Sequence, residues 1–344
     1  MIRLLAAAAA TCCLAAVPAH AAAPGDDEKT EKLFAFTDTR ITESSGLAVS
    51  PTHPGIYYTH NDSAAAPTFY AVDGEGRTRA TYQVRGAQAR DWEAMAATKD
   101  PRTGRGVLWF ADIGDNLDGA WPDVSVYKVM EPRTLGDATL PAVRYRLRYA
   151  DGARNAEGIM VDPGTGRLYV VSKEFAGSVY AAPKKLRADR TNVLRKVASA
   201  PVMATDAAYA PDGSSYVVRT YFSATLYKPS GETIARVTMP ELRQAESITY
   251  TADGKALLTG SEGARSPVYR VPLPARAASA VRSATPAPSP APSPASAERD
   301  TEAQASPSSA APAGGGLSLK DVLIWLAAAL TAIGVITFIA RRTA

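Results

Sequence analysis

The sequence predicts an all-β chain folded as a β-propeller, and two observations carry that prediction. Five segments (Glu43-Ser-Ser-Gly-Leu-Ala, Asp91-Trp-Glu-Ala-Met-Ala, Glu157-Gly-Ile-Met-Val, Asp206-Ala-Ala-Tyr and Glu246-Ser-Ile-Thr-Tyr) each open on an acidic residue and become a strand. They recur at roughly 40 to 65 residues, the spacing of propeller blades. Between them lie short β-rich runs punctuated by Pro, Gly and Asp, with no long helical periodicity. A propeller gathers equivalent positions around one axis. Five carboxylates far apart in sequence then become one polar basin.

Taken in order, the chain begins with the form of an export signal, residues 1–21. Arg3 is followed by an apolar run from Leu4 to Val17 and by Ala19-His20-Ala21, a small-x-small cleavage site. Both cysteines, Cys12 and Cys13, fall inside it, so the exported part is expected to hold together without disulfides. The propeller is expected over residues 32–273. Its third unit reads as strands at 158–162, 167–172, 178–181 and 194–198, which makes a four-stranded blade. The fourth and fifth units repeat the first turn as Pro211-Asp-Gly-Ser and Ala252-Asp-Gly-Lys. The fifth shows only three strands. The segment Leu33-Phe-Ala-Phe-Thr has no other place, so it is expected to supply the missing outer strand and remove two free edges. Five blades is the expected count. Six is the alternative, because the second unit, residues 93–149, is longer than the rest. A β-sandwich does not explain the repeat.

Residues 274–316 are rich in Pro, Ala and Ser and nearly free of large apolar side chains. They cannot bury enough surface to offset their ordering entropy and are expected to form a stalk reaching on the order of 100 Å. Residues 317–340 are expected to form a membrane-spanning helix. Its core, Val322 to Ala340, is 19 residues without a charge, long enough to span a hydrocarbon layer of about 30 Å. Arg341 and Arg342 in the tail, residues 341–344, place that end in the cytoplasm and the propeller outside. The formal charge of +4 falls to +1 once Arg3, Arg341 and Arg342 are set aside. A nearly neutral domain has no general pull on nucleic acid, and nothing points to a nucleotide, flavin or haem.

In a blade, the loop leading into the first strand and the loop leaving the second lie on one face. That face is expected to bind ligand and to collect Glu43, His60, Asn61, Asp62, Asp91, Glu93, Lys173, Glu174, Asp206, Arg219, Tyr221, Glu246 and Glu262. The opposite face receives ordinary turns. Asp112-Ile-Gly-Asp115-Asn116, with Glu157, suits a hard cation such as Ca²⁺, which takes about six to eight oxygens. Against that stands turn capping by the same Asp and Asn side chains. Zinc is disfavoured, since only His53 and His60 remain beyond the signal and no cysteine does. Glu93, Glu157, Asp206 and His60 are the candidate catalytic groups. No Gly-x-Ser-x-Gly or His-Glu-x-x-His run is present. Trp92, Trp121 and Tyr221 near this face suit stacking on a sugar or plain packing.

The Glu43-Ser-Ser-Gly, Thr59-His-Asn-Asp, Asp91-Trp-Glu and Asp112-Ile-Gly-Asp-Asn motifs, continued by Asn155-Ala-Glu-Gly, Arg219-Thr-Tyr and Glu246-Ser-Ile with Ser261-Glu-Gly, resemble a family of exported bacterial β-propeller proteins. The resemblance covers the whole exported domain. It implies the fold and a bacterial cell membrane, but no reaction. More distantly, the Glu-Gly blade starts are similar to gluconolactonase-like and phytase-like propellers, which implies a divalent metal on the axis. Three functions follow. One is a stalked extracellular module that binds a ligand or protein. The second is a metal-dependent hydrolase of lactonase or phosphoesterase type. The third is a structural or sensory propeller holding only a stabilising ion.

Overall fold

The computed structural model describes residues 29–62, 66–116 and 119–274. The expected export signal, most of the Pro/Ala/Ser tract, the membrane helix and the tail lie outside the described residues. Among those described, no helix is long and apolar enough to cross a membrane. Twenty strands form instead. β1 (Glu31–Ala35) comes first. One unit follows with β2 (Ser44–Val49), β3 (Ile56–Asn61), β4 (Thr68–Asp73) and β5 (Thr78–Arg85). The next has β6 (Trp92–Lys99), β7 (Gly106–Asp112), β8 (Val124–Met130) and β9 (Ala138–Tyr149). The third is β10 (Ala156–Val161), β11 (Leu168–Ser172), β12 (Ser178–Ala181) and β13 (Asn192–Ser199). The fourth is β14 (Ala204–Tyr209), β15 (Tyr216–Thr220), β16 (Ser223–Tyr227) and β17 (Thr233–Thr238). β18 (Ile248–Tyr250), β19 (Ala256–Thr259) and β20 (Pro267–Pro272) complete the set.

Each unit is a four-stranded antiparallel meander, and the last is completed by β1, which pairs antiparallel with β20. The first strands β2, β6, β10, β14 and β18 neighbour one another in a closed cycle. This is the β-propeller arrangement. Strand patterning follows position. The outer strand β5 alternates, with Ala80, Tyr82 and Val84 buried, Thr81 half-buried and Gln83 exposed, because only one side has a neighbour. β7 and β10 are buried at every residue, because meanders cover both of their faces. Five apolar cores result, one at each junction between adjoining meanders. The first junction is the most aromatic: Trp92 stacks on Phe110 at 5.0 Å and Phe69 on Tyr82 at 4.8 Å.

The length of the second unit is absorbed without further strands. β9 runs for 12 residues and pairs with β8. Its start also pairs in parallel with β5 and its end in parallel with β13, so three meanders share one continuous 12-stranded sheet. Arg144, Arg146 and Arg148 alternate along β9 as one solvated face would; Arg146 and Arg148 are exposed, whereas Arg144 is half-buried and donates from Nε to Ser125 Oγ at 2.9 Å.

Candidate functional site

β-bulges set the positions of the acids. The ladder between first and second strands slips by one residue or more at Ser44/Gly46, Trp92/Met95, Ala156/Gly158 and Ala204/Asp206. A bulge leaves a residue unpaired and re-aims it. Glu93 and Glu157 sit in such bulges, and Glu246 stands just ahead of β18. The same register corrects the alignment of Asp206. In the fourth meander the bulged residue is Thr205, and Asp206 stands where the first and third have Gly46 and Gly158. Asp206 is fully buried and accepts N–H bonds from Ala207 and Ile248, both at 2.7 Å. It ties two first strands together rather than facing a ligand.

The loops leading into the first strands and those leaving the second do meet on one face. The N–H of Asp62 donates to the carbonyl of Glu43 at 2.8 Å, and that of Gly263 to Thr42 at 2.9 Å. Asp62, Asp91 and Glu93 each offer a carboxylate oxygen, all within 4.8 Å of one another. Gly114 makes this approach feasible. A Cβ there would lie 2.3 Å from both Asp91 Oδ2 and Glu93 Oε1, so any other residue would displace the two carboxyl groups. Beside them Lys173 forms an ion pair with Glu157 Oε1 and donates to Tyr221 Oη at 2.6 Å. Glu157 Oε2 is buried with no hydrogen-bond partner among the described residues.

Excess negative charge in a partly dry place raises carboxyl pKa values. Burial pushes Asp91 up to about 6, with Asp62 adding to it. Burial, then Glu157 and Asp62, hold Glu93 well above the ordinary glutamate value. Glu157 is raised to about 8 by burial, against the pull of Lys173. Glu262 rises to about 7 through burial and Glu246, and burial also raises Glu246. Burial works against the charge of Lys173, but Glu157, Tyr221 and Glu246 outweigh it and hold the amine above its usual value. Burial and crowding together make these carboxyls hold their protons more readily than free ones.

Other expected residues have different places. Asn61 clamps a loop, accepting from the N–H groups of Thr42 and Glu43 and donating to the carbonyl of Arg40 at 2.7 Å. Glu174 pairs with Arg154 at 3.3 Å, and Glu43 is exposed. His60 is fully buried, edge-on to Trp92 at 5.3 Å, and burial lowers it to about 4. A Cβ on Gly46 would meet its Nε2 at 2.3 Å, so this neutral ring is sealed in the core and out of reach as a base. Trp92 is core as well, 1% exposed, and Trp121 lies under the guanidinium of Arg90 at 4.1 Å. Arg219 is fully buried with its three guanidinium nitrogens unpartnered among the described residues; burial lowers it to about 10.

Of the expected metal set, Glu157 lies beside the converging carboxylates, while Asp112, Asp115 and Asn116 are engaged by nearby loops. Asp112 Oδ1 accepts from the N–H groups of Arg90 and Asp91 at 3.1 and 2.8 Å. Asp115 caps the next loop through the N–H groups of Ala120 and Trp121 at 3.1 and 2.8 Å. Asn116 accepts from Asn155 Nδ2 at 2.7 Å. Turn capping engages these side chains, and among the described residues Asp62, Asp91 and Glu93 come close enough together to share one ion. Asp62 and Asp91 were legible only as members of the face; the signal for their pairing was the glycine set between two acids at Asp112-Ile-Gly-Asp. At the far end of the axis a cavity of about 430 Å³ is lined by Val49, Val161 and the turn prolines Pro51, Pro101, Pro163 and Pro211.

No family model and no curated protein matches the chain. Among solved structures, a gluconolactonase from Xanthomonas campestris is similar with 16% identity and a TM-score of 0.41, covering 64% of this chain and 69% of its own. The structure of U3-55K is similar with 9% identity and a TM-score of 0.39, covering 71% of this chain and 98% of its own. Both likenesses are too distant to carry residues or activity across.

Proposed function

We propose that this five-bladed propeller is a binding module whose acidic axial end holds the cationic group of a ligand or partner. In this reading residues 1–21 export the domain, and residues 274–316 tether it to a membrane helix at 317–340, outside a bacterial cell. One observation supports it above the rest: three carboxylate oxygens, from Asp62, Asp91 and Glu93, converge within 4.8 Å with Glu93 only 4% exposed. Like charges so placed need a proton or a cation between them. Ca²⁺ suits the donor set, since these groups offer carboxylate oxygens and no sulfur.

The test is a thermal melt of the full chain in calcium or magnesium and again in EDTA. A site filled at about 100 times its Kd adds ~2.7 kcal/mol, which is several degrees for a domain of this size. The expected shift disappears in Glu93→Gln. If wild type melts identically with and without every cation tried, the basin does not bind cations and the proposal fails.

A second reading, a metal-dependent hydrolase, rests on Glu157. Its Oε2 is buried without a partner among the described residues and burial raises the carboxyl, an arrangement that suits a general acid. Turnover of chromogenic lactones or phosphoesters that vanishes in Glu157→Gln would move this reading ahead of simple binding.

A further inference from the structure

We propose that the acidic axial end receives a peptide segment, with one lysine or arginine side chain entering among Asp62, Asp91 and Glu93 and neighbouring apolar side chains resting on Phe175 and Phe222. This deepens the binding reading above and rests on it. Phe175 is 86% exposed and Phe222 is 90% exposed, which leaves two whole phenyl rings in water. Both ride on the loops that build the site. Phe175 lies two residues beyond Lys173, and Phe222 directly follows Tyr221. The Lys173–Tyr221 hydrogen bond of 2.6 Å fastens the two loops together at the rim. A third apolar side chain joins them: Val202 is 53% exposed, and the N–H of the next residue, Met203, donates to the carbonyl of Glu174 at 3.0 Å. Met203 itself has a φ of 54°, a left-handed conformation that a methionine seldom takes and that tends to persist at functional surfaces.

The chemistry of the occupant follows from charge and shape. Exposed aromatics grouped beside a desolvated charge are the anatomy of a protein-binding hot spot. The charge selects a basic residue, because the basin gathers more carboxyls than amines and holds a Glu157 oxygen without a partner among the described residues. An anionic lipid surface is opposed by those same acids. A simple metal ion has no use for the phenyl rings.

The experiment selects random nonapeptides on the full chain held in phosphatidylcholine nanodiscs, with empty nanodiscs as control. The peptides recovered are expected to carry Lys or Arg with large apolar residues within two positions. Their affinity is expected to fall by about tenfold or more in the double variant Phe175→Ser/Phe222→Ser. That variant removes only exposed groups and keeps the wild-type melting temperature and its calcium shift. Recovered peptides without a basic residue, or affinities unchanged in the double variant, would overturn the inference. So would binding of the free chain to phosphatidylcholine vesicles that the double variant loses, since the rings would then serve a membrane. A calcium shift that depends on Glu93, together with no peptide recovered, would sink this inference and leave the binding reading standing.

Discussion

Gly114 decides whether Asp91 and Glu93 can approach each other, and it does so by having no side chain. Gly114→Ala must push one carboxyl aside, at a cost of about 1–3 kcal/mol for overpacking. Its urea midpoint is expected to drop, and its calcium shift to vanish even where the fold survives. The raised carboxyls make a second prediction. Each binds its proton more tightly in the folded state than in the unfolded chain, so the stability they contribute is complete below the unfolded pKa and is lost as pH rises through the folded one. For Glu157 that window runs from 4.5 to about 8, and Asp91 and Glu262 titrate inside it at about 6 and 7. Melting temperature without divalent ions is therefore expected to fall from pH 5 to pH 8, and the gain from calcium to grow over the same interval. A flat profile would show that these groups do not hold protons in the folded protein. The sequence exposed the acids but not their roles. A bulge shifts the register by one residue, so Glu157 and Asp206, similar on paper, face the axis and the backbone respectively.

At the scale of elements, the repeat of acid, strand, turn and strand was readable because outer strands alternate and inner strands do not. The third meander falls within two residues of its expected bounds at every strand. The closing strand was readable by elimination, and β1 does pair with β20. What escaped was β9, whose parallel pairing with two neighbours depends on how adjoining outer strands lie in space. Phe34 and Phe36 anchor the closing segment, 5% and 1% exposed, between the first and last meanders. Phe36→Ala is expected to cost about 3–5 kcal/mol. Because it also loosens the cover over the β20 edge, size-exclusion chromatography of the variant should show more association than wild type does. A monomeric variant with an unchanged urea midpoint would mean the ring closes without this anchor.

For the whole molecule, the ends of the axis differ in kind. One gathers ionisable groups on loops, and the other gathers prolines and aliphatic residues around a cavity of about 430 Å³. The first was foreseeable from where acids stood in the repeat. The second was visible only as turn prolines, since nothing in a lone turn proline says that four of them converge. Phe175 and Phe222 were hidden for a related reason: a phenylalanine in a loop is indistinguishable on paper from one in a core. The sheet pattern also has a mechanical side. Three meanders are laced together through β9, whereas the sheet of β14 to β17 and the sheet of β18, β19, β20 and β1 stand apart from that lacing. Tension applied to the chain beyond Leu273 pulls directly on β20, between β19 and β1. That sheet is the one built to yield first, as a seam, and its rupture would uncouple Glu246 from the basin while the laced half kept its shape.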